Sequence, residues 1–518
     1  LIAEERALTA DESIEIDAVL DTEMYTAADT DDGSSETEEE TNSFMSAQPS
    51  LSGANITSSK EERIVSNSVG LQVSFLNGGP GKEAPNGIKT STSLLVRSQR
   101  SIWLFDCGED TQRSFIGHPL VEWKRIERIF ISSMSPDNVL GLPGMLCTIS
   151  ASRAKGHENA DYPVHVYGPK GLIDFVNTTL SVSNTYLEMP VVIHEFTPRP
   201  LTTPEQQEAI DKPILINQRS MLYATHLPPD QLNPRGYYDG ELQAMLARHT
   251  QKRQNSRMDG RSGALSLEMP PPGDPKAAAT TPVSSMTWTI RIDGEYSVSA
   301  GALRHTAPCF GYLIREAPRA GKLNMDRARA MGLEEGSAQL QQLKQGVSVT
   351  NGDGKVVHPA ECVAPPRPGR RIAVIGPCID SIAFARRMKQ MIDRPVELVV
   401  HALSTPSGDA AVVLNSKNAD SSSRNVSLAS MAGKCAAVFG AKELTLWQQS
   451  SLSMLSPEAK DGMYPYRVLK EAKMQFNSED DDDGEGEEKY VSIGGVYEVH
   501  QIERPPAPPA AWESEEHS

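Results

Sequence analysis

The stretch Arg128–Leu146, RIFISSMSPDNVLGLPGML, decides how the chain is read. Ile129, Phe130 and Ile131 begin as a buried strand does. The run then breaks into Ser132, Ser133, Met134, Ser135, Pro136, Asp137 and Asn138. A Gly/Pro turn follows and opens an apolar helical stretch, Leu142–Ser152. Small polar residues at the C-terminal end of a buried strand are where α/β folds place their chemistry. Yet Asp137 alone in this run is a strong base or metal ligand. The segment has the frame of a site and little of its chemistry.

Strands and helices alternate on both sides of it. LQVSFL (71–76), TSLLVRS (92–98), SIWLFD (101–106), VHVYG (164–168) and VVIHEF (191–196) read as short strands. MTWTIRI, EYSVSAG, CFGYLIRE, RRIAVIG, VELVVHAL and ELTLWQ continue the series, with helices expected at 170–180 and 427–439. No repeat of solenoid period is present. The pattern predicts an α/β domain, a pair of sheets with helices outside.

The chain has 518 residues, 38% of them hydrophobic, which leaves room for loops, insertions and tails around one large domain. The net charge of −18 is uneven. Residues 1–48 carry fifteen acids against Arg6, a net of −14, and Glu479–Glu488 adds −8. The remainder is therefore mildly basic, about +4, which is what −18 leaves once the −22 of those two segments is removed. The total charge does not exclude an RNA partner. The six cysteines, at 107, 147, 309, 362, 378 and 435, form no CxxC pair and read as thiols of a reducing compartment. No apolar run reaches the ~18 residues of a membrane helix. The chain begins at Leu1, consistent with a removed presequence, and mitochondrial import is expected, with another organelle or the cytoplasm as the alternatives.

SIWLFDCGEDTQRSF (101–115), VLGLPGML and VHVYGPKGL, followed by LRHTAPCFGYLIRE, PPRPGRRIAVIG, VELVVHAL and VLKEAKMQF…VYEVHQIERP, resemble the tRNase Z (ribonuclease Z) family of the metallo-β-lactamase superfamily. Single motifs of this kind are weak, but these run in family order from Leu71 to about Pro505. The resemblance implies a metallo-β-lactamase-type αβ/βα sandwich of two mixed sheets with outer helices. It also implies a metal site at the strand ends between the sheets and an ancestral activity of tRNA 3′-end endonuclease. The domain map is then as follows. Residues 1–68 are an acidic extension too polar to order itself, apart from a short helix expected at Ile14–Met24. Residues 69–505 are the tRNase Z-like domain, with insertions at about 227–283 (basic and Pro-rich), 318–366 (arm-like) and 477–489 (acidic). Residues 506–518 are a Pro-rich acidic tail.

Carried over residue by residue, the family's chemistry is mostly missing. The His-x-His-x-Asp-His motif falls on Ser133, Ser135, Asp137 and Asn138. The later metal-binding His falls on His305, and the bridging Asp falls on Pro377. The Glu of the family's His-Glu-Ala-Thr turn falls on Ala402, beside a retained His401. The proton-transferring His falls on Val426, and the last ligand on Gln448. A binuclear site needs several His and carboxylate ligands, and hydroxyls or a carboxamide bind zinc poorly in their place. The expectation is no catalytic residue and no metal, with zinc lost as a cofactor. Asp137 and His305 are residual candidates. Asp137 equally suits accepting backbone hydrogen bonds in a tight turn, and His305 a hydrogen-bonded place at a strand edge. A mononuclear site of Cys378, Asp137, His305 and Gln448 is the remaining metal alternative. Asp106 of FDCGE supports the metal loop in the family.

The arm, Lys322–Val357, keeps its length, but Gly336-Ser337 replaces the family's Gly-Pro beside Glu334 and Glu335, so its grip on tRNA is in doubt. Arg248, Lys252, Arg253, Arg257 and Arg261 are the candidate RNA contacts, with a solvated loop as the plain alternative. The expected function is a pseudoenzyme, not an enzyme: a structural or RNA-binding subunit of a larger ribonucleoprotein assembly such as a mitochondrial ribosome or RNA-processing complex. Its expected partners are protein subunits of the complex and RNA, with a dimer with itself or with an active tRNase Z as a further option and no membrane. Two alternatives stand beside it. One is an inactive regulatory partner dimerised with an active tRNase Z. The other is a hydrolase with a rearranged metal site.

Overall fold

The computed structural model describes residues 70–76, 93–99, 101–116, 122–153, 162–197, 213–230, 237–238, 286–305, 307–403, 428–447, 464–477, 489–494 and 498–510. The chain divides into two compact units, Leu1–Arg63 and Ile64–Ser518, and every described residue belongs to the second. The acidic N-terminal extension, the Arg248–Arg261 candidates, Val426, Gln448 and the run Glu479–Glu488 lie outside the described residues.

Two mixed sheets face one another. The first is built from β1 (Leu71–Phe75), β2 (Leu94–Arg97), β3 (Ile102–Phe105), β4 (Ile126–Phe130), β5 (Val164–Gly168), β6 (Val191–Phe196), β7 (Ile214–Asn217), β8 (Leu222–Leu227) and β19 (Val499–Ile502). Among the described residues its order is β19-β1-β2-β3-β4-β5-β6-β8-β7. The run from β3 to β6 and on to β8 is parallel. The second sheet is built from β9 (Tyr237–Tyr238), β10 (Thr287–Ile292), β11 (Tyr296–Ala302), β12 (Phe310–Glu316), β15 (Arg371–Ile375), β16 (Leu398–Ala402), β17 (Glu443–Trp447) and β18 (Tyr490–Ile493). Its order is β18-β17-β16-β15-β12-β11-β10-β9. This is the αβ/βα sandwich that the motifs imply.

Strand alternation sorts the apolar residues into layers. Phe130 of β4 turns inward with Trp103, Phe105 and Tyr167 to meet Trp288, Tyr312 and Trp447 of the other sheet. Phe105 and Phe130 stack at 4.9 Å between ring centroids, and Tyr312 meets Phe130 at 5.4 Å. The neighbours Ile129 and Ile131 point the other way, under α3 (Leu142–Ser152) and α4 (Leu172–Val182). On the far side, Val399 and Leu444 lie under α8 (Ile382–Lys389), α9 (Leu428–Phe439) and α10 (Tyr464–Phe476). β7, β8 and α10 have no counterpart among the elements expected from sequence. Leu222–Leu227 (LYATHL) does not alternate cleanly, and its pairing with β6 is what makes it a strand.

The α9–α10 contact depends on Gly433. A Cβ there would stand 2.2 Å from the Ala472 carbonyl oxygen of α10. Gly433→Ala is therefore expected to cost about 2 kcal/mol, although Ala is the better helix former. Urea denaturation of the variant checks this, and equal or higher stability would refute it.

Between β12 and β15 lies the arm, with its own small core of Leu333, Leu340, Leu343, Val349, Val357 and Cys362. It contains α5 (Met325–Ala330), α6 (Ala338–Lys344), α7 (Pro359–Cys362) and the hairpin β13 (Val349–Thr350)–β14 (Val356–Val357). Asn324 caps α5 by accepting from the Asp326 and Arg327 amides. At its base, Arg370 grips the Glu316 carboxylate through Nε at 2.7 Å and Nη2 at 2.8 Å. Its Nη1 donates to the Ile502 carbonyl of β19 at 3.0 Å. Arg504 pairs with the same carboxylate. The C-terminal strand of the first sheet is thereby tied to the second sheet.

Candidate functional site

The strand ends at the Phe130 side of the sandwich collect the residues singled out in sequence. Asp106 directly follows β3, and its φ of 58° is a left-handed value that Asp tolerates better than most residues. That turn directs its carboxylate onto the segment after β4. Oδ1 accepts the Ser132 amide at 2.7 Å and Oδ2 accepts the Ser132 hydroxyl at 2.8 Å. Asn138 Nδ2 donates to Ser132 Oγ at 3.0 Å. Ser133 Oγ donates to Asn138 Oδ1 at 3.2 Å and accepts the Ser135 amide at 3.2 Å. Asn138 is held in turn by its carbonyl, which accepts the Cys107 amide at 2.7 Å. It lies on a one-turn helix, α2 (Pro136–Val139), with Pro at its start.

The turn into α3 locks against the same loop. Gly141 donates to the Cys107 carbonyl at 3.0 Å, and a Cβ at Gly141 would stand 1.9 Å from the Gly108 carbonyl oxygen. The glycine of the LGLPG motif is therefore fixed by close approach to the Asp106–Gly108 loop.

The second sheet is joined to this point directly. The Phe310 amide donates to the Ser132 carbonyl at 2.8 Å, and Ser133 pairs with Cys309 in an isolated bridge. Tyr312 Oη donates to the Ile131 carbonyl at 2.6 Å. Cys309 Sγ donates to the Pro377 carbonyl at 3.1 Å. Sequence reasoning gave Ser132, Cys309 and Tyr312 no role. Their partners lie across the sandwich, and no local spacing signals that register.

The other expected positions surround this knot. Pro377 is buried just past the end of β15, beside the fully buried Cys378. Ala402 is 1% exposed and belongs to the core between the sheets. His401 donates from Nδ1 to the Ala402 carbonyl at 2.7 Å, which leaves Nε2 to accept the Ser381 hydroxyl at 2.9 Å. His305 is half-buried and accepts the Ala307 amide at Nδ1, at 3.0 Å. Asp137 is half-buried, and burial raises its carboxyl above the usual range. Among the described residues, no group of three or more His, Cys, Asp or Glu side chains is placed to hold a metal ion. No helix among them is long and apolar enough to cross a membrane.

No protein-family model matches the chain. The ribonuclease Z of Bacillus velezensis is 24% identical over 415 residues, 79% of this chain and 97% of its own length. The zinc phosphodiesterase ELAC protein 1 of Bos taurus is 30% identical over 308 residues, 60% of this chain and 69% of its own length. The chain belongs to the ribonuclease Z family. Among solved structures it is similar to human tRNase Z, short form (ELAC1), at TM-score 0.40 and 17% identity, over 83% of this chain and 99% of that one.

In this chain the buried titratable groups pull stability in opposite directions. Burial lowers the His401 imidazole to about 4. Unfolded, it titrates near 6.5, so between ~6.5 and ~4 only the unfolded chain takes up the proton. That contribution is complete above pH ~6.5 and is lost as pH falls through ~4, about 3 kcal/mol in all. Asp106 has the reverse sign. Burial raises its carboxyl to about 7 against the opposing Ser132 and Asn138 hydrogen bonds, so the fold favours its neutral form. Its share is complete below pH ~3.9 and is lost as pH rises to ~7. His401→Gln is therefore expected to be most destabilising at pH 7. The gap from wild type should narrow by about 3 kcal/mol by pH ~4. Urea titrations at both pH values check this, and a gap that widens in acid refutes the neutral-imidazole assignment.

Proposed function

We propose that this member of the ribonuclease Z family is catalytically inactive and serves as a structural or RNA-binding subunit of a larger ribonucleoprotein assembly, of the organellar kind represented by a mitochondrial ribosome or RNA-processing complex. The observation that carries the reading is the run of hydrogen bonds that links Asp106 to Ser132, Ser132 to Asn138 and Asn138 to Ser133. These donors do not fit a zinc pair. Ser133 and Asn138 stand where the resemblance requires imidazoles, and both are fully buried with their polar atoms engaged to each other. The Asp106 carboxylate is committed to Ser132, and Pro377 and Ala402 have no ligating side chain. Asp137 and His305 alone do not make a binuclear site. Hydrogen bonds from Phe310 and Tyr312 join the two sheets at this point. Val426 and Gln448, which lie outside the described residues, extend the loss in sequence.

The test is a cleavage assay on a 3′-extended pre-tRNA with added zinc or manganese, together with the metal content of the purified protein. Neither turnover nor stoichiometric zinc is expected. Either one overturns the inactive reading and restores the hydrolase with a rearranged site. Co-purification from native extract tests the assembly. Ribosomal or RNA-processing proteins are expected in the eluate. Recovery of a single active ribonuclease Z instead would make the chain its inactive partner.

A further inference from the structure

The arm leaves and rejoins the body through a two-rung stem. Arg319 and Arg367 face each other in an antiparallel bridge, and each donates its amide to the other's carbonyl at 2.9 Å. Leu323 and Val363 form the second bridge, and the Ala364 amide donates to the Lys322 carbonyl at 2.9 Å. Gly321 sits so close to the returning strand that a Cβ would stand 1.5 Å from the Ala364 carbonyl oxygen. The two strands of the stem are held in register by these contacts.

Residues directly opposite in a mutually hydrogen-bonded antiparallel pair project to the same side, with Cβ atoms about 5 Å apart. Like charges in that position are destabilising. Both arginine side chains are exposed. Neither reaches a carboxylate within ion-pair distance among the described residues. The carboxylate at the base of the stem, Glu316, is already shared by Arg370 and Arg504. Arg504 adds further positive charge beneath the pair, since its Nη1 donates to the Arg367 and Pro368 carbonyls at 3.4 and 3.1 Å. Lys322, three residues after Arg319, is exposed as well. A rule of local pairing is broken here, and no partner within the described chain compensates for it.

We infer that the Arg319–Arg367 pair is an anion site that takes backbone phosphates of an RNA. A phosphate placed between the two guanidinium groups turns their repulsion into charge-assisted, bidentate hydrogen bonds. The backbone of the stem fixes both residues, so little ordering is needed on binding. The site lies where β12 ends and β15 begins, at the opposite end of those strands from Phe310 and Pro377. RNA held there does not enter the degenerate strand-end site. Phosphate contacts of this kind position an RNA and do not read its sequence.

The inference deepens the RNA-binding part of the function proposed above and rests on it. The experiment titrates a fluorescein-labelled RNA hairpin by anisotropy over a range of KCl concentrations. It compares the wild type with Arg319→Gln/Arg367→Gln and Arg319→Lys/Arg367→Lys. The glutamine pair is expected to bind roughly tenfold more weakly, with a log–log salt slope shallower by about 2. The lysine pair should keep most of the slope. The melting temperature of the glutamine pair should not fall, because a like-charge pair has been removed. Unchanged affinity and slope overturn the site. So does a Tm that falls in step with affinity, which would mean a packing role. Polyglutamate competing as well as RNA at equal charge concentration overturns the assignment to RNA. None of these outcomes touches the inactive reading, which the pre-tRNA assay tests separately.

Discussion

Ser133→His, Ser135→His and Asn138→His, introduced together, are expected to give a protein with no pre-tRNA cleavage and with stability lowered by about 4 kcal/mol. The substitution restores the imidazoles of the first metal motif on paper. In the fold, Ser133 and Asn138 are both 0% exposed, so two rings must enter space that is already filled. Overpacking of that kind costs ~1–3 kcal/mol per site. Replacing both residues also removes the Ser133–Asn138 hydrogen bond and the one that Asn138 donates to Ser132. By the resemblance, the ligands expected at Pro377 and Gln448, the Glu expected at Ala402 and the proton-transferring His expected at Val426 are still absent. Urea denaturation, zinc content and the cleavage assay on the same sample measure all three consequences. Stoichiometric zinc with turnover would sink the inactive reading, because it would mean that three imidazoles were all the chain lacked.

Glu316→Ala is expected to cost about 3–5 kcal/mol, the usual effect of stranding buried charge by removing its partner. Arg370 is 4% exposed, and both it and Arg504 are oriented by the one carboxylate. Burial by itself would raise the Glu316 carboxyl. The hydrogen bonds and charges of Arg370 and Arg504 outweigh that and hold it below its ordinary value. The carboxylate form is therefore the native one, and its stabilising share is lost as the pH falls below ~4.5. Glu316→Gln keeps an acceptor and is expected to cost roughly half as much. The damage should concentrate where the carboxylate ties elements together, at β19 and the arm stem. Hydrogen exchange should show both opening before the β4–β5 pair. A loss under ~1 kcal/mol in Glu316→Ala would mean that water reaches both arginines and screens them.

Much of the fold is legible in the chain because strands β3, β4, β5, β12, β15 and β16 are short apolar runs with period-2 layering. Trp103, Phe105, Phe130 and Tyr312 sort themselves to one face by alternation alone. β7 and β8 were not legible, because β8 takes its strand character from pairing with β6 and β7 from pairing with β8. The candidate site divides in the same way. The polar residues at 133, 135 and 138 could be located in sequence, next to a turn whose Gly141 is required by the Gly108 carbonyl. What those residues do could not be read there. A serine hydroxyl is a donor or an acceptor according to its neighbours: the Ser133 hydroxyl donates to Asn138 and accepts the Ser135 amide, and Asn138 in turn donates to Ser132, which Asp106 holds from the end of β3.

The sequence by itself determined the class of fold, the order of its motifs and which side chains stand at the strand ends, because these depend on residue type and local period. The tertiary structure decided that those side chains close on one another. It also decided that Cys309, Phe310 and Tyr312 join the sheets at that place, and that Arg319 is set opposite Arg367. Hydrogen bonding and charge repulsion act over a few ångströms of space, and distance along the chain does not fix which groups come within that range.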